Sequence, residues 1–350
     1  MAMVAAERTL MFQEAASAGD AVERQFACGG AVMAEILSSL AADPPSMVVT
    51  CARGSSDHAA TFAKYAFERQ LGWVTASAAP SVSSIYQAPL KLGGSLFLAI
   101  SQSGKSPDLI EAVQRASQQG ARTLALVNAS ATPLSKAADW TLPLCAGPEN
   151  SVAATKSYIA SLAAIARIVA ALEANDGAIG PALARLPEWL RAAWRLDWSP
   201  LTTALRDSRG LFVLGRGPGL AIAQEAALKF KETCGIHAEA FSTAEVRHGP
   251  MALAATGLPM LIFRQDDESA AGVDDLIGEL RAIGARLIVA GPVAEPVAED
   301  AVGLPILDAP ASLQPILQIQ SFYGAINALA ILRGHDPDRP PLLRKVTETV

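Results

Sequence analysis

The chain contains two copies of one sequence pattern, separated by about 163 residues. Each copy has a short apolar run, an Arg-Gly pair and then a stretch with helical periodicity, and the two pairs, Arg53-Gly54 and Arg216-Gly217, lie 163 positions apart. Two further correspondences have nearly the same spacing: Gln102 with Gln265, and Gly-Ala-Arg at 120–122 with Gly-Ala-Arg at 284–286. Self-similarity at a fixed spacing indicates a duplicated structural unit.

Short, nearly continuous apolar runs within each copy alternate with segments of helical period. The clearest runs are 96–100 and 123–127 in the first copy, and 260–263 and 287–290 in the second. Such runs are typical of parallel strands buried on both faces and connected by right-handed βαβ crossovers. We therefore expect an α/β protein with two tandem domains, each a doubly wound parallel sheet in a three-layer α/β/α sandwich.

The length of 350 residues accommodates two domains of this kind. We predict five segments, with these boundaries: an N-terminal amphipathic helix (1–27), a first domain (28–175), a helical linker containing prolines and tryptophans (176–199), a second domain (200–335) and a tail that is ordered without forming a helix (336–350).

The charge balance is mildly acidic, with 28 Lys and Arg against 34 Asp and Glu, and no basic cluster. This argues against a broad nucleic-acid surface. Glu7 and Arg8 interrupt any signal-like apolar stretch, and the most apolar helical segment, 158–172, is too short to span a bilayer. The four cysteines are widely separated, which indicates neither a zinc site nor a disulfide framework. We expect a cytoplasmic protein without membrane or nucleic-acid partners.

A turn rich in Ser and Gly, ISQSGKSPDL at 100–109, follows a predicted strand and precedes a predicted helix. Ser106 and Pro107 match the N-cap and first position of that helix, whose free N–H groups could bind a phosphate. A capped turn with no ligand is the alternative. Ser55 and Ser56 follow the neighbouring strand and would lie in the same crevice. The second copy has the acidic RQDDES here, so we expect only the first domain to bind phosphate.

Titratable residues cluster in the second copy. Glu225, Lys229 and Glu232 fall at i, i+4 and i+7, on one face of a predicted helix. A solvated stripe with one ion pair would explain that spacing equally well. The segment IHAEAFSTAEVRHGP that follows contains His237, Glu239, Glu245 and His248, where a histidine could equally be a packing or capping residue.

These motifs together resemble the sugar isomerase (SIS) domain family. The resemblance covers nearly the whole chain, and it is greatest to the isomerase half of glucosamine-6-phosphate synthases and to stand-alone deaminases and isomerases of phosphosugars. It is carried, in order, by ARGSS (52–56), SQSGKSPD (101–108), ENSVAATKSY (149–158), LGRG with EAALKFKE (214–217 and 225–232), HAEAFSTAEVRHGP (237–250) and DPDRPPLLRKVT (336–347).

The resemblance implies roles for particular residues. The positions that match those holding the sugar phosphate are Ser56, Ser101, Gln102, Ser103 and Ser106. Val152 matches a residue whose backbone contacts the sugar. Glu232 matches the carboxylate that moves a proton between C1 and C2, Lys229 the lysine beside it, His248 the ring-opening histidine, and Lys345 the tail lysine that reaches the carbonyl carbon.

The activity implied is that of a phosphosugar aldose–ketose isomerase and deaminase, converting glucosamine 6-phosphate and water to fructose 6-phosphate and ammonia. The resemblance also implies a homodimer with its active site at the subunit interface, and no metal or redox cofactor. Because the chain opens with MAMVAAERTL rather than with a glutaminase domain, we expect it to release ammonia rather than to draw it from glutamine.

One departure from the common family pattern leaves other substrates open. SQSGKS replaces SQSGET, so that Lys105 stands where an acid is usual. The alternatives are an isomerase, deaminase or deglycase for tagatose 6-phosphate, galactosamine 6-phosphate or fructosamine 6-phosphate. A non-catalytic sugar-phosphate sensor is a further alternative from a different class of protein.

Overall fold

The computed structural model describes residues 6–173, 179–292 and 301–345, and the chain divides into two compact units. We call them the amino-terminal unit, with described residues in 20–149, 156–185 and 344–345, and the carboxyl-terminal unit, with described residues in 6–19, 150–155 and 186–343. Each unit is therefore built from separate segments of the chain.

The described residues form fourteen α-helices, which are distributed over both units. In chain order, the α-helices of the described residues are α1 (Leu10–Ala16), α2 (Ala18–Ala27), α3 (Gly30–Ala42), α4 (Ser55–Ala66), α5 (Pro80–Ser84), α6 (Pro107–Gln118), α7 (Pro133–Ala137), α8 (Lys156–Leu172), α9 (Ile179–Leu183), α10 (Leu186–Ala193), α11 (Ser199–Leu205), α12 (Gly219–Cys234), α13 (Ala270–Ala282) and α14 (Gln314–Leu332). Short 3₁₀ segments lie at Ala6–Arg8, Glu245–His248 and Pro250–Thr256, and a π-helical turn at Phe67–Leu71 extends α4.

The amino-terminal unit contains a five-stranded parallel sheet. Its strands are β1 (Val48–Cys51), β2 (Thr75–Ser77), β3 (Leu96–Ser101), β4 (Arg122–Val127) and β5 (Trp140–Pro143), in the order β2-β1-β3-β4-β5. All residues of β1 and β3 are buried, which explains their unbroken apolar sequence. The chain leaves β1 toward one edge of the sheet and returns to β3 on its other side, so the topological switch point lies between these two strands.

The carboxyl-terminal unit repeats this architecture. Its strands are β6 (Gly210–Gly215), β7 (His237–Ser242), β8 (Met260–Phe263), β9 (Leu287–Ala290) and β10 (Ala301–Leu304), in the order β10-β9-β8-β6-β7 with parallel pairing throughout. Read from β7, the order of strands is the same as in the first sheet. Helices cover both sides of each sheet, so the predicted fold of two doubly wound parallel sheets is confirmed.

The N-terminal helix predicted over 1–27 is divided in two. Helix α1 ends at Ala16 and α2 begins at Ala18, while residues 1–5 lie outside the described residues. Ser17 lies between them and its hydroxyl donates to the carbonyl oxygen of Glu14, at 2.8 Å. A serine that bonds to the preceding turn competes with the helical ladder, which accounts for the interruption.

The predicted boundaries also differ from the division of the structure. Within the predicted first domain, 150–155 belongs to the carboxyl-terminal unit. Within the predicted linker, 179–185 belongs to the amino-terminal unit and 186–199 to the carboxyl-terminal unit. Residues 174–178, which span the predicted start of the linker, and residues 293–300 of the predicted second domain lie outside the described residues. Residues 336–345 of the tail contain neither helix nor strand, and 346–350 lie outside the described residues.

A disulfide bond joins Cys28 to Cys145 within the amino-terminal unit, with a Cα–Cα distance of 6.8 Å. The expectation that no disulfide is present was therefore wrong. The two cysteines are 117 residues apart, and only the fold, which brings the end of α2 beside the segment after β5, makes the pairing visible. Cys51 and Cys234 are free and buried.

Among the described helices, α14 is by itself long and apolar enough to pass for a membrane span, as are α2 and α3 taken together across a 70° bend, and 78% of the apolar window of α14 is buried inside the protein. Core helices have the same composition. Its buried side chains include Phe322 and Tyr323, both 0% exposed, so α14 serves as a central packing helix of the carboxyl-terminal unit.

Candidate active site

The serine-rich turn lies directly after β3. Ser101, the last residue of that strand, accepts a hydrogen bond from the N–H of Gly104 at 3.0 Å, and the Ser103 hydroxyl accepts one from the N–H of Lys105 at 3.3 Å. Ser106 is the N-cap of α6 and Pro107 its first residue, as predicted. The Ser106 side chain accepts no bond from the helix amides, so its hydroxyl can bind an anion beside the positive end of the helix dipole.

Gly104 is required by the geometry of this turn. Its φ of +62° lies in the left-handed region, and a Cβ built on it would lie 2.3 Å from the Thr132 hydroxyl oxygen. Both conditions exclude a larger residue without movement of the backbone. The turn is thereby held against the chain that precedes α7.

A second turn, between β1 and α4, reaches the same carboxyl edge of the sheet. Ser55 and Ser56 form the first turn of α4, and β1 pairs directly with β3. Arg53 joins the two turns, since its Nε and Nη2 donate to Asp108 Oδ2 at 2.9 and 2.7 Å. Asp108 is buried, so Arg53 and Asp108 align the two turns at the switch point. The sequence did not assign them this role, although both lie in the ARGSS and SQSGKSPD motifs.

Helix α12 carries the charged triad that the spacing predicted. Lys229 Nζ lies 3.1 Å from Glu225 Oε1 and 2.8 Å from Glu232 Oε2. The side chains of Glu225 and Lys229 are 0% exposed and that of Glu232 is 20% exposed. The alternative of a solvated stripe is therefore wrong. Of these three residues, only Glu232 has surface through which it could meet a ligand.

The triad fixes the charge of its lysine. Burial alone would lower the pKa of Lys229, but the Glu225 and Glu232 carboxylates, at hydrogen-bond distance, raise it above its ordinary value. Lys229 is thus a permanent ammonium. Held beside Glu232, it can stabilise an oxyanion that develops on a ligand next to that carboxylate.

The segment 150–155, which contains Val152, is held by α1 within the carboxyl-terminal unit. The Glu14 carboxylate is buried and accepts hydrogen bonds from the N–H groups of Asn150 at 2.5 Å and Ser151 at 3.1 Å. Val152 follows these two residues and is half-buried. Sequence reasoning missed Glu14, whose only signal is an acidic residue in the mostly apolar helix α1.

His248 ends the 3₁₀ segment Glu245–His248 and is exposed on the carboxyl-terminal unit. Val246 is buried and anchors this segment, while Gly249, with φ of +141°, turns the chain immediately after the histidine. His237, Glu239 and Glu245 are also exposed or partly exposed. The imidazole of His248 is accordingly presented at the surface of its own chain.

Lys345 contacts a buried carboxylate in the amino-terminal unit. Its Nζ lies 3.3 Å from Glu149 Oε2, and the Glu149 side chain is 0% exposed. Glu149 also accepts bonds from the N–H of Ser157 at 3.1 Å and from its hydroxyl at 2.5 Å. Glu149, a residue that sequence reasoning did not single out, thus holds the tail lysine in place.

The structure gathers the predicted site residues into two groups, one in each unit. The amino-terminal unit contains Ser56, Ser101, Gln102, Ser103, Ser106 and Lys345, and the carboxyl-terminal unit contains Val152, Lys229, Glu232 and His248. Within the described residues, no three His, Cys, Asp or Glu side chains are arranged so that they could hold a metal ion.

Two SIS-type sheets with a serine-rich turn in one and a buried Glu-Lys-Glu triad in the other define the class of protein. The SIS domain model matches residues 45–171 and again 204–332, and the chain belongs to the SIS domain family. Each of the two matches contains one of the five-stranded sheets, so the duplication seen in the sequence is a duplication of this domain.

Among curated proteins, the chain is similar to the isomerizing glutamine–fructose-6-phosphate aminotransferase of Leifsonia xyli, with 32% identity over 318 residues. That match covers 85% of this chain and 50% of the aminotransferase, so the chain spans about half the length of this relative.

Two solved structures are similar over almost the whole chain. A protein of Silicibacter pomeroyi that was assigned as a phosphosugar isomerase has 41% identity and a TM-score of 0.88, covering 94% of this chain and all of that one. The glucosamine-6-phosphate deaminase of Thermotoga maritima has a TM-score of 0.75 and covers 97% of this chain and 100% of that one, but at 21% identity it shows the fold alone.

Proposed function

We propose that the protein is a phosphosugar isomerase and deaminase that converts glucosamine 6-phosphate and water to fructose 6-phosphate and ammonia. The observation that carries the proposal is the Glu225–Lys229–Glu232 triad, in a chain of the SIS family that is similar to an aminotransferase named for fructose 6-phosphate. Proton transfer between adjacent carbons needs a carboxylate that can reach both, with a nearby cation for the developing oxyanion. Glu232 and Lys229 meet that need.

The phosphate of the substrate is bound by the two turns at the carboxyl edge of the first sheet. Ser56, Ser101, Gln102, Ser103 and Ser106 supply hydroxyl, amide and backbone donors, and the N-terminus of α6 supplies the positive end of its dipole. The backbone at Val152 contacts the sugar. Positive charge therefore comes from local dipoles and a few cations, which suits a chain whose net charge is −6.

The reaction begins with opening of the sugar ring. His248 takes the proton from the C1 hydroxyl and returns one to the ring oxygen, which gives the open-chain aldehyde with its amino group at C2. Because His248 is exposed on its own chain, we propose a homodimer in which it serves the neighbouring subunit's site.

Proton transfer follows. Glu232 removes the proton from C2, the electron pair forms the C1–C2 double bond of an enolamine, and the Lys229 ammonium stabilises the negative charge on O1. Glu232 then returns the proton to C1, and O1 takes a proton from the C2 amino group, leaving a hydroxyl at C1 and an imine at C2. Water adds to the imine carbon and ammonia leaves, giving the ketone of fructose 6-phosphate. Lys345 acts at the carbonyl carbon from the tail.

The proposal places the protein in the cytoplasm and requires neither a metal nor a redox cofactor. The steps of this scheme are proton transfers, the addition of water and the loss of ammonia, and no electrons are gained or lost overall. The groups needed are an acid–base histidine, a carboxylate and a cation, all of which this chain supplies.

The test is to incubate purified protein with glucosamine 6-phosphate and to measure ammonia and fructose 6-phosphate together. We expect equal amounts of both products. In Glu232→Gln the rate of turnover should fall by about a thousandfold or more, which is on the order of the contribution of a positioned base. Glu35→Gln, which alters an exposed carboxylate on α3, is the matched control and should keep full activity. Turnover no greater than that of Glu232→Gln would refute the proposal.

A different phosphosugar is the second candidate, and Lys105 is the observation that favours it. This exposed lysine lies in the phosphate turn where the common pattern has an acid. A panel of tagatose 6-phosphate, galactosamine 6-phosphate and fructosamine 6-phosphate, assayed with the same variants, separates these activities. Exchange of a substrate proton with solvent deuterium, at C2 of an aldose or at C1 of a ketose, separates any of them from a sensor, which binds sugar phosphate without exchange.

A further inference from the structure

Lys156, the first residue of α8, is a buried lysine that the proposed reaction does not use. It is 7% exposed, and no residue within the described ranges forms a hydrogen bond or an ion pair with its side chain. Its Nζ is not among the fully enclosed polar atoms of the described residues that have no partner, so the ammonium reaches the small part of the surface that the residue keeps. Lys156 therefore holds a positive charge away from bulk water but within reach of a small ligand.

The carboxylate nearest to Lys156 in the sequence, Glu149, is paired with other groups. Its Oε2 lies 3.3 Å from Lys345 Nζ, and its oxygens accept bonds from the N–H and the hydroxyl of Ser157 at 3.1 and 2.5 Å. Adjacent residues of a helix lie on different faces, so Lys156 does not share the face on which Ser157 meets this carboxylate. The ammonium of Lys156 is thus left for an anion that the described residues do not provide.

The start of α8 lies at the same edge of the first sheet as the serine-rich turn. Asn128, directly after β4, connects the two: its N–H donates to the Ser101 carbonyl oxygen at 3.4 Å, and its Nδ2 donates to the Gly147 carbonyl oxygen at 2.8 Å. Glu149 follows two residues later and is the acceptor of Ser157 in the first turn of α8. All of these residues belong to the amino-terminal unit, at the carboxyl edge of its sheet.

We propose that Lys156 is the cation of the phosphate site and donates from its ammonium to the phosphate of the bound sugar phosphate. The hydroxyl, amide and backbone donors of this site are neutral, whereas a phosphate monoester carries a charge of about −1.5 to −2 at pH 7. Of the cations in the two turns, Arg53 is bonded to Asp108 and Lys105 is exposed. A nearly buried ammonium forms a stronger, charge-assisted bond than a neutral donor or an exposed cation.

The ligand-free protein should be less stable because of this lysine. A buried cation without a partner lowers the free energy of unfolding, and a bound phosphate supplies the partner. Removal of the charge therefore has two opposite effects: the ligand-free protein becomes more stable, and phosphate binds less tightly. A lysine that served packing alone would lower the stability when removed and would have no specific effect on phosphate.

The inference rests on the proposed function, so its test uses inorganic phosphate and needs no turnover. Calorimetric titration at constant ionic strength should show that Lys156→Met weakens phosphate binding by about tenfold or more, the usual contribution of a hydrogen bond to a charged group. Lys64→Met, which removes an exposed lysine at the far end of α4, is the matched control and should bind phosphate like the wild type. Equal affinity of Lys156→Met and wild type would overturn the inference.

The melting temperature gives the second readout. Without ligand, Lys156→Met should melt above the wild type, and saturating phosphate should raise the melting temperature of the wild type by more than that of the variant. Lys156→Gln, which removes the charge but stays polar, should lose phosphate affinity to the same extent and keeps the test open if the methionine variant does not fold. A ligand-free Lys156→Gln that melts well below the wild type while binding phosphate normally would show that the lysine only supports the fold.

Catalysis separates this inference from the proposed substrate. If glucosamine 6-phosphate is turned over, Lys156→Met should raise KM more than it lowers kcat, because the phosphate is held alike in the ground state and the transition state. A loss confined to kcat would place the lysine at the reacting carbons and contradict the inference. Weakened phosphate binding in the variant, with no turnover by the wild type, would refute the proposed substrate and leave the role of Lys156 standing.

Discussion

At the scale of single residues, the proposed proton transfer depends on the buried Lys229 of α12, and its burial is the feature of the site that the sequence predicts least well. The i, i+4, i+7 spacing places Glu225, Lys229 and Glu232 on one face, but a solvated face has the same spacing. Burial is a property of what packs over the helix, here the long apolar α14, which lies far along the chain from α12. Tyr323, whose hydroxyl donates to Glu225 Oε1 at 3.1 Å, and Glu14, which accepts from the N–H of Asn150, were missed for the same reason.

The triad makes a prediction about stability. Lys229→Met should lower the free energy of unfolding by about 3–5 kcal/mol, because it leaves the buried carboxylate of Glu225 without its cation. Lys136→Met, which removes a lysine at the surface, is the control and should cost less than about 0.5 kcal/mol. Urea unfolding monitored by circular dichroism measures both.

The pH dependence of this contribution follows from the direction in which the pKa moves. The pKa of Lys229 is raised in the folded protein by its two carboxylates, so its contribution is fully present below the ordinary value of 10.5 and is lost only as the pH rises through the folded value. The difference in stability between wild type and Lys229→Met should therefore not shrink between about pH 7 and about pH 9. A difference that vanished across that interval would contradict the assignment of Lys229 as a permanent ammonium.

At the scale of elements, the repeat predicted two copies of one sheet, and the strand order confirms that both copies are wound alike. The two copies differ in the side chains that lie at the switch point of the sheet. In the second copy Gln265, which follows β8, is 2% exposed and bonds to Gln318 at 2.6 Å, and a Cβ on Gly219 would lie 2.3 Å from Gln265 Oε1. Gln265 thus fills the space beside the first turn of α12.

The filled crevice predicts one phosphate site per chain. Calorimetric titration with inorganic phosphate should give a stoichiometry of one, and a variant with both Ser103→Ala and Ser106→Ala should show no binding. Ser269→Ala, whose hydroxyl donates to Asp267 at 2.5 Å in the equivalent turn of the second copy, should bind phosphate like the wild type. Two phosphates per chain, or binding that survives in the double variant, would show that the second copy has kept a site.

The element boundaries show where sequence reasoning stops. Strand and helix positions near the phosphate turn, including the N-cap at Ser106, follow from local chemistry and were predicted. The assignment of 150–155 and of α1 to the carboxyl-terminal unit depends on contacts far apart in sequence, such as that between Glu14 and Asn150. Local periodicity contains no information about which unit such a segment packs in.

At the scale of the whole molecule, the chain returns to its own beginning. The Asp338 carboxylate in the tail accepts bonds from the N–H groups of Leu10 and Met11 at 2.7 and 2.8 Å, capping the start of α1. Farther along α1, Glu14 holds the segment that contains Val152. One short helix of the carboxyl-terminal unit therefore fixes both a segment of the proposed sugar site and the start of the tail.

The disulfide between Cys28 and Cys145 is also a constraint on the whole molecule, because it closes 117 residues of chain. Such a bond stabilises a fold mainly by restricting the unfolded chain, by about 2–4 kcal/mol. Oxidised wild type should therefore be more stable than Cys28→Ser by that amount, and Cys145→Ser should match Cys28→Ser. In a strong reductant, as in a reducing cytoplasm, the three proteins should have the same free energy of unfolding.

Thiol counting tests the same bond without unfolding the protein. Burial raises the pKa of both Cys51 and Cys234 to about 12, so neither should react with a thiol reagent at neutral pH. The oxidised native protein should show no reactive thiol, and reduction should expose two, which Cys28→Ser lowers to one. Reactive thiols in the native protein before reduction, together with equal stability of wild type and both variants in oxidising buffer, would show that the two cysteines are neighbours without being bonded.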